Sequence, residues 1–195
     1  IRRVAAAVGT STMAVYTHFG SKDDLVLEVV REAFARLHAR MREVPVTDDP
    51  VADLVGTAEA YRANALDNAN LYRVMFGVNP LALVDPTDLA GTEAVGLDAF
   101  EALVAVVARC VEAGVLAGDP GRLALQVWST AHGAVSLELA GFLGDDGHRT
   151  YDAACAAVFA GLPRPRPTAD RRELPAVSRD MGPDATEGGA GAPPS

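Results

Sequence analysis

The spacing of apolar residues limits the fold of this chain more than any other feature of the sequence. Up to Leu162 such residues recur three and four positions apart, and no segment alternates apolar and polar residues over the length of a strand. The clearest stripe consists of Leu25, Val29, Ala33, Leu37 and Met41. Because this spacing places side chains on one face of a helix, an all-α fold is predicted.

Glycines and serines divide the first 42 residues into three helices. Gly9 is suited to end the first helix, whose predicted buried face consists of Ile1, Val4, Ala5 and Val8. Ser11 is suited to cap a second, short helix. Ser21 and Asp24 resemble a capping box and open a long helix that is predicted to reach about Arg42.

The same spacing predicts further helices over about 51–66, 71–76, 94–113, 120–143 and 148–161. Pro80 and Pro86 bracket a loop, and Asp119 before Pro120 is a strong helix start. Residues 163–195 contain eleven Pro and Gly in 33 positions, a composition typical of a disordered tail. The chain is therefore divided into a head (1–42), a helical body (43–162) and this tail.

Charge is distributed unevenly between the head and the rest of the chain. Residues 1–42 carry seven Lys and Arg against four Asp and Glu, whereas residues 43–195 carry ten against twenty-two, for a net charge of −9. The negative total argues against a protein that coats nucleic acid or anionic membranes, but the basic head can approach phosphate. A solvated helix face explains the small basic excess equally well.

Cys110 and Cys155 are the only cysteines, and two thiols favour neither a disulfide framework nor a metal site. No motif requires a cofactor, and none is expected. Without a recognisable signal peptide, a cytoplasmic location is expected. Because the chain begins at Ile1 inside a periodic pattern, we expect that a preceding segment is absent.

The stretch from Val8 to Leu25, VGTSTMAVYTHFGSKDDL, has the layout of a helix-turn-helix. The second helix of that motif enters the DNA major groove. Thr and Ser hydroxyls can bond to base edges and methyl groups can pack on thymine, whereas Tyr, His and Lys at the margins suit phosphate oxygens. An ordinary tight corner with Tyr16 packed inside fits the same pattern.

A longer run, IRRVAAAVGTSTMAVYTHFGSKDDLVLEVV, resembles the end of the TetR-type DNA-binding domain. The matching positions are Gly9, Ser11, Tyr16, Phe19, Lys22 and Leu25, with nothing inserted or deleted. Val8 stands where the family usually has alanine, and Thr10 where it commonly has valine. The resemblance implies a TetR-like fold, with a helix-turn-helix DNA-binding domain over 1–42 and a helical ligand-binding and dimerisation domain over 43–162.

By this resemblance, the family's DNA contacts fall on Ser11, Thr12, Met13, Tyr16, Thr17, His18 and Lys22. Thr12, Met13, Thr17 and His18 are the candidates for base contacts. Tyr16 and Lys22, with Ser11, are the candidates for phosphate contacts. The family also has a preceding helix that packs over Val4, Val15 and Phe19, and we expect it to be missing here.

Two stretches of the body are similar to one subgroup of the family's C-terminal domains, namely the signature of Trp128, His132 and Gly133, and the run NLYRVMFG. The resemblance implies a homodimer through two helices, about 119–143 and 148–161. It also implies a transcriptional repressor that binds a palindromic operator in double-stranded DNA and is released by an unknown small-molecule effector.

The pocket for that effector would lie inside the helical body. Its candidate lining residues are Tyr61, Tyr72, Met75, Phe76, Phe100, Trp128 and His132. Ordinary core packing is an equally simple interpretation of each of them. His132 in addition needs a polar partner, because it lies on an apolar helix.

Three other classes of protein remain as alternatives. Leu123–Leu143 is long enough for a membrane span, but a central acid such as Glu138 costs roughly 2.5–3.5 kcal/mol on insertion scales, so no membrane partner is expected. Asp145, Asp146 and His148 could serve an enzyme, although GDDGHR is more simply a turn, and no enzyme is expected. A helical small-molecule-binding module without DNA activity is the main alternative, and salt-dependent DNA binding distinguishes the two.

Overall fold

The described part of the chain, residues 1–77 and 96–166 of a computed structural model, contains eight α-helices and no strand. The helices are α1 (Arg2–Ala7), α2 (Thr12–Phe19), α3 (Lys22–Arg42), α4 (Pro50–Asp67), α5 (Ala69–Gly77), α6 (Leu97–Glu112), α7 (Pro120–Leu139) and α8 (Gly147–Gly161). The all-α prediction is therefore confirmed for these residues.

The caps that the sequence predicts in the head are formed. Ser11 Oγ accepts a hydrogen bond from the backbone N–H three residues on, at 3.1 Å. Ser21 and Asp24 make a reciprocal capping box, with both hydrogen bonds at 3.0 Å. Gly9 and Gly20 have φ of 69° and 82°, a left-handed region in which glycine is favoured. These turns fix where α1, α2 and α3 begin and end.

The predicted buried face of α1 is wrong for two of its four residues. Ala5 is 2% exposed, but Val4 is 46% exposed and Val8 is 69% exposed. Ala5 is the one residue of α1 that the described chain buries, so packing on this helix is limited to that position. Val15 of α2 is 6% exposed and lies in this small core.

Helix α3 is the central element of the body. Its 21 residues pack against α4, α5 and α6, and its stripe of Val30, Ala33, Leu37 and Met41 is buried. The predicted stripe is confirmed for its last three members, whereas Leu25 and Val29 are only partly buried. Because α3 begins beside α2 and ends inside the body, it connects the two regions.

Helix α7 is shorter than the sequence predicts. The predicted start is confirmed, since Asp119 accepts a hydrogen bond from the Arg122 backbone N–H at 2.8 Å. The predicted end at Leu143 is wrong: α7 ends at Leu139, and Gly141 follows with φ of 81°. This left-handed residue turns the chain out of the helix, so that Phe142 is 78% exposed.

Several sequence predictions fall outside the described residues. They are the loop bracketed by Pro80 and Pro86, the start of the next helix at about Ala94, and residues 167–195 of the predicted tail. The start of that tail is held in place: Pro163 O accepts from Ala117 N at 2.9 Å, and Arg164 donates to Val115 O at 3.2 Å. Residues Ile1–Pro165 form one compact unit.

None of the described helices has the length and apolar character that a membrane crossing requires. The acid that the membrane alternative would have placed in lipid, Glu138, has an ionic partner in Arg62. Arg62 Nε donates to Glu138 Oε2 at 2.9 Å, and the two side chains are only 19% and 14% exposed.

Candidate nucleic-acid interface and effector cavity

One side of α2 is exposed along its whole length. It carries Thr12, Met13, Tyr16 and Thr17. Tyr16 lies one helical turn after Thr12, and Thr17 lies one turn after Met13. Met13 is 73% exposed and Tyr16 is 46% exposed. The alternative in which Tyr16 is packed inside a tight corner is therefore wrong, and the side chains on this face are free to contact another molecule.

The hydroxyl groups on this face differ in what they can offer a partner. Thr17 Oγ1 donates to Met13 O at 2.9 Å, so its proton is already used. Its methyl group and its oxygen lone pairs are still available to a partner molecule. The Thr12 hydroxyl makes no hydrogen bond among the described residues and can both donate and accept. Ser11 accepts the cap hydrogen bond and keeps its own proton.

His18 is set apart from the other candidates for base contacts. At about 3.6 residues per turn, it falls on a different side of α2 from Met13 and Thr17. It is exposed, and its ring meets Phe19 edge-on, with the centroids 4.6 Å apart.

Exposed positive charges lie on the two helices that flank α2 in the chain. Lys22 is the first residue of α3, where free backbone N–H groups favour an anion, and its side chain is exposed. Arg2 and Arg3 of α1 are also exposed. Nothing in the sequence identified these two arginines as contacts, because a short basic run is typical of any solvated helix.

A small cavity of about 30 Å³ lies between α3, α4, α6 and α7. Three of the seven candidates from the sequence line it: Tyr61, Phe100 and Trp128. The other lining residues are Phe34, Leu37, Met41, Thr57, Ala58, Gly96, Ala99, Leu103, Val127 and Ala131. Among the residues that the structure describes, the walls are almost entirely apolar and include no charged side chain.

Four polar side chains form a hydrogen-bonded cluster beside this cavity. Trp128 Nε1 donates to Tyr61 Oη at 3.3 Å. The Tyr61 and Tyr72 hydroxyls are 3.1 Å apart, and they lie 3.2 and 2.6 Å from His132 Nδ1. We call Tyr61, Tyr72, Trp128 and His132 the tyrosine–histidine cluster. It supplies the partner that His132 was expected to need.

Burial keeps this cluster uncharged at neutral pH. It lowers the pKa of His132 and raises the pKa values of Tyr61 and Tyr72, the first of which is also raised by its neighbour Tyr72. With two phenol groups near Nδ1, a neutral imidazole accepts there and carries its proton on Nε2. Nε2 then faces the Ser136 hydroxyl at 3.5 Å.

The remaining candidates lie on the far side of the cluster. Tyr72 and Phe76 line a second cleft, of about 320 Å³, between α5 and α7. The Phe76 ring packs on His132 with the centroids 4.3 Å apart. Met75 is 2% exposed and belongs to the hydrophobic core. The seven predicted residues are thus brought together, but only three of them line the cavity.

Two ion pairs between described helices lie outside the cavity and are shielded from much of the solvent. Besides Arg62 with Glu138, Arg109 of α6 pairs with Asp53 of α4, which is 4% exposed. The hydrogen bond from Arg109, with two from Thr47, lowers the pKa of Asp53. Each charge in these two pairs has its counter-charge within the protein, so neither pair leaves a charge free for a ligand.

Sequence reasoning missed the contribution of α3 to the cavity. Phe34, Leu37 and Met41 belong to a stripe that the sequence identifies as buried. Spacing along one helix shows which face is buried, but not which other helices it meets. Gly96 and Thr57 carried no signal that could have identified them.

The turn that the enzyme alternative would use is a surface feature. His148 Nδ1 lies 3.3 Å from Asp152, and Arg149 lies 3.6 Å from Asp146, with all four side chains exposed. Among the described residues, no three His, Cys, Asp or Glu side chains are placed to hold a metal ion.

Comparisons with solved structures find several similar chains. A TetR family transcriptional regulator, PfmR from Thermus thermophilus, is 26% identical, with a TM-score of 0.62 over 85% of this chain and 88% of that one. A protein of unknown function from Rhodococcus sp. RHA1 is also 26% identical, with a TM-score of 0.69 over 84% of each chain. The putative regulatory protein SCO4313 is 25% identical, with a TM-score of 0.61 over 82% of this chain and 84% of that one.

A comparison with curated proteins finds no match. The model of a family described as bacterial regulatory proteins, tetR family, matches residues 1–29. The model of the tetracyclin repressor-like C-terminal domain matches residues 54–162. The first match covers the exposed face of α2, and the second covers all the cavity residues except those of α3. This chain belongs to the TetR family of DNA-binding transcriptional regulators.

Proposed function

We propose that this regulator is a repressor that binds a palindromic operator as a homodimer. Binding of a small-molecule effector releases it from that DNA. The position of helix α3, between α2 and the cavity, is the observation that carries the proposal. Its first residue, Lys22, borders α2, and its later residues Phe34, Leu37 and Met41 line the cavity. A change in the cavity therefore acts on the helix that supports the DNA-binding face.

A two-fold dimer gives this linkage a geometric consequence. Two α2 helices must enter grooves about 34–36 Å apart, or a multiple of that distance. An effector that favours a dimer with a different separation weakens DNA binding. A coupling free energy of about 1–3 kcal/mol gives roughly 5–150-fold control.

The exposed side of α7 supports the homodimer. Leu125 and Leu137 are 50% and 48% exposed there, and Gly133, between them, has no atom within 4 Å of the place where a Cβ would lie. Helix α8 adds exposed alanines: Ala153, Ala156, Ala157 and Ala160. Small and apolar residues on two adjacent helices suit close packing against a second copy.

Fluorescence anisotropy with a palindrome selected from random double-stranded DNA tests the DNA-binding role. We expect affinity to fall steeply with salt, because phosphate contacts release counterions. Lys22→Ala should weaken binding to every sequence and reduce the slope of log K against log salt by about 0.9 per lost contact. Tyr16→Phe should also weaken all sequences alike.

Thr12→Val and Thr17→Val test the base-reading role, and both should change which sequence is preferred. We expect Thr12→Val to change the preferred sequence more, because the Thr17 hydroxyl proton is already donated to Met13 O. Equal losses for all four variants would contradict this division of roles. An absence of DNA binding at every salt concentration would favour a ligand-binding module without DNA activity. The proposal contains no catalytic step.

A further inference from the structure

We propose that the cavity between α3, α4, α6 and α7 binds an uncharged, largely hydrocarbon molecule, and that it opens by displacement of Phe34. The inference identifies the chemical class of the effector and so rests on the proposed function. Its evidence is the polarity, charge and tightness of the walls.

The walls offer a ligand no unused polar partner. Thr57, Tyr61 and Trp128 are the polar residues that line the cavity. Thr57 Oγ1 donates to Asp53 O at 2.8 Å, and the Trp128 N–H and the Tyr61 hydroxyl are engaged in the tyrosine–histidine cluster. In the described residues no buried side-chain nitrogen or oxygen lacks a partner. A polar ligand group would therefore have to break an existing hydrogen bond or remain unsatisfied.

A charged ligand is excluded more strongly. None of the described residues that line the cavity is charged, and the nearby shielded charges are already paired, Arg62 with Glu138 and Arg109 with Asp53. An ion without a counter-charge loses its hydration on burial and gains nothing that replaces it. An uncharged molecule avoids this cost.

The tightness of the cavity identifies the wall that must move. About 30 Å³ has room for about two water molecules, so a ring requires displacement of side chains. Phe34 is only partly buried and faces Gly96, where an added Cβ would lie 2.7 Å from the Phe34 ring. Leu37 and Leu103 are 3% and 7% exposed and are held more firmly. Movement of Phe34 acts directly on α3.

Trp128 makes the proposal directly testable, because it lines the cavity and is the only tryptophan of the chain. The full chain is titrated with N-phenyl-1-naphthylamine, which is uncharged, and with 1-anilinonaphthalene-8-sulfonate, which has the same rings and a negative charge. Energy transfer from Trp128 to each probe is measured. We expect the uncharged probe to bind about 100-fold more tightly or better, because the sulfonate would be buried unpaired.

Two matched substitutions locate the probe. Ala131→Leu fills the cavity and should abolish transfer to the uncharged probe. Val55→Phe narrows the neighbouring groove between α4 and α8 at a residue that does not line the cavity, and it should leave transfer to the uncharged probe unchanged. Phe34→Ala removes the closing side chain and should tighten binding of the uncharged probe about tenfold, so that the proposal is still tested if Ala131→Leu does not fold.

Three results would overturn the proposal: equal affinity for the two probes, loss of binding in Val55→Phe but not in Ala131→Leu, or no binding to either the natural chain or Phe34→Ala. None of these measurements involves DNA. Probe binding with the expected pattern in a protein without DNA affinity would support the cavity proposal and contradict the repressor. DNA binding in a protein that binds neither probe would do the reverse.

Discussion

His132 combines an apolar helix position with a polar ring that two tyrosines hold through Nδ1. Its neutral state is favoured because burial lowers its pKa. The residue was identified from the sequence through its unusual polarity on α7. The sequence could not identify its hydrogen-bond partners on α4 and α5, since nothing in the local sequence relates Tyr61 or Tyr72 to His132.

Stability should therefore depend on pH through His132. The unfolded chain binds a proton at its ordinary pKa of 6.5, whereas the folded chain does so only at lower pH. The free energy of unfolding is fully maintained above pH 6.5 and falls as the pH drops below it. Urea denaturation between pH 7.5 and 5 measures this.

The matched variant for this measurement is His132→Gln, which keeps a hydrogen-bonding side chain but does not titrate in this range. We expect it to be less stable at pH 7.5 by about 1–3 kcal/mol, because the tyrosine hydroxyls lose their partner. Its stability should also fall less between pH 6.5 and 5. The same slope in both proteins would contradict a buried, neutral His132.

At the scale of helices, the junction of α7 and α8 depends on a close approach between a glycine and an ion pair. Gly147, the first residue of α8, is buried. A Cβ there would lie 2.6 Å from Cδ and 2.7 Å from Cγ of Glu138. Glu138 cannot easily move away, because Arg62 holds it with two hydrogen bonds.

Gly147→Ala should lower the free energy of unfolding by about 1–3 kcal/mol, because it forces overlap in a packed site. Gly161→Ala is the control on the same helix: no atom lies within 4 Å of its added Cβ, and the change should be neutral or stabilising by up to about 1 kcal/mol. Chemical denaturation of both variants tests this. Equal changes in the free energy of unfolding would show that the Glu138 side chain moves aside without a measurable cost.

At the scale of the whole molecule, the proposed dimer uses the side of α7 that the subunit leaves exposed. Leu137→Glu would place a charge at its centre and should produce a monomer in sedimentation, because the charge would be buried unpaired. The monomer should keep its helical circular dichroism and lose most of its operator affinity.

Leu97→Glu is the control, since Leu97 of α6 is similarly exposed, at 44%, but lies on neither proposed interface helix. This variant should keep both the association state and the operator affinity. Dissociation of both variants, or of neither, would contradict an interface on α7 and α8.

The sequence by itself determined the local structure. Caps such as Ser21 with Asp24, stripes such as that of α3, and the exposed face of α2 depend on residues within a few positions of each other, so a short stretch contains their whole cause. The run from Ile1 to Val30 is one such stretch, and it also resembles a known family. Two local predictions were wrong. The burial of Val4 depended on packing, and the end of α7 depended on one glycine with a left-handed conformation, Gly141.

Only the tertiary structure decided how the helices meet. The cavity, the tyrosine–histidine cluster and two ion pairs join residues that are far apart in the chain. The separation is 76 positions for Arg62 and Glu138, 60 for Tyr72 and His132, and 56 for Arg109 and Asp53. Apolar stripes attract one another without direction, because burial depends on area and not on the identity of the partner. Which residues line the cavity is therefore fixed by how all the helices pack together, and by no single helix.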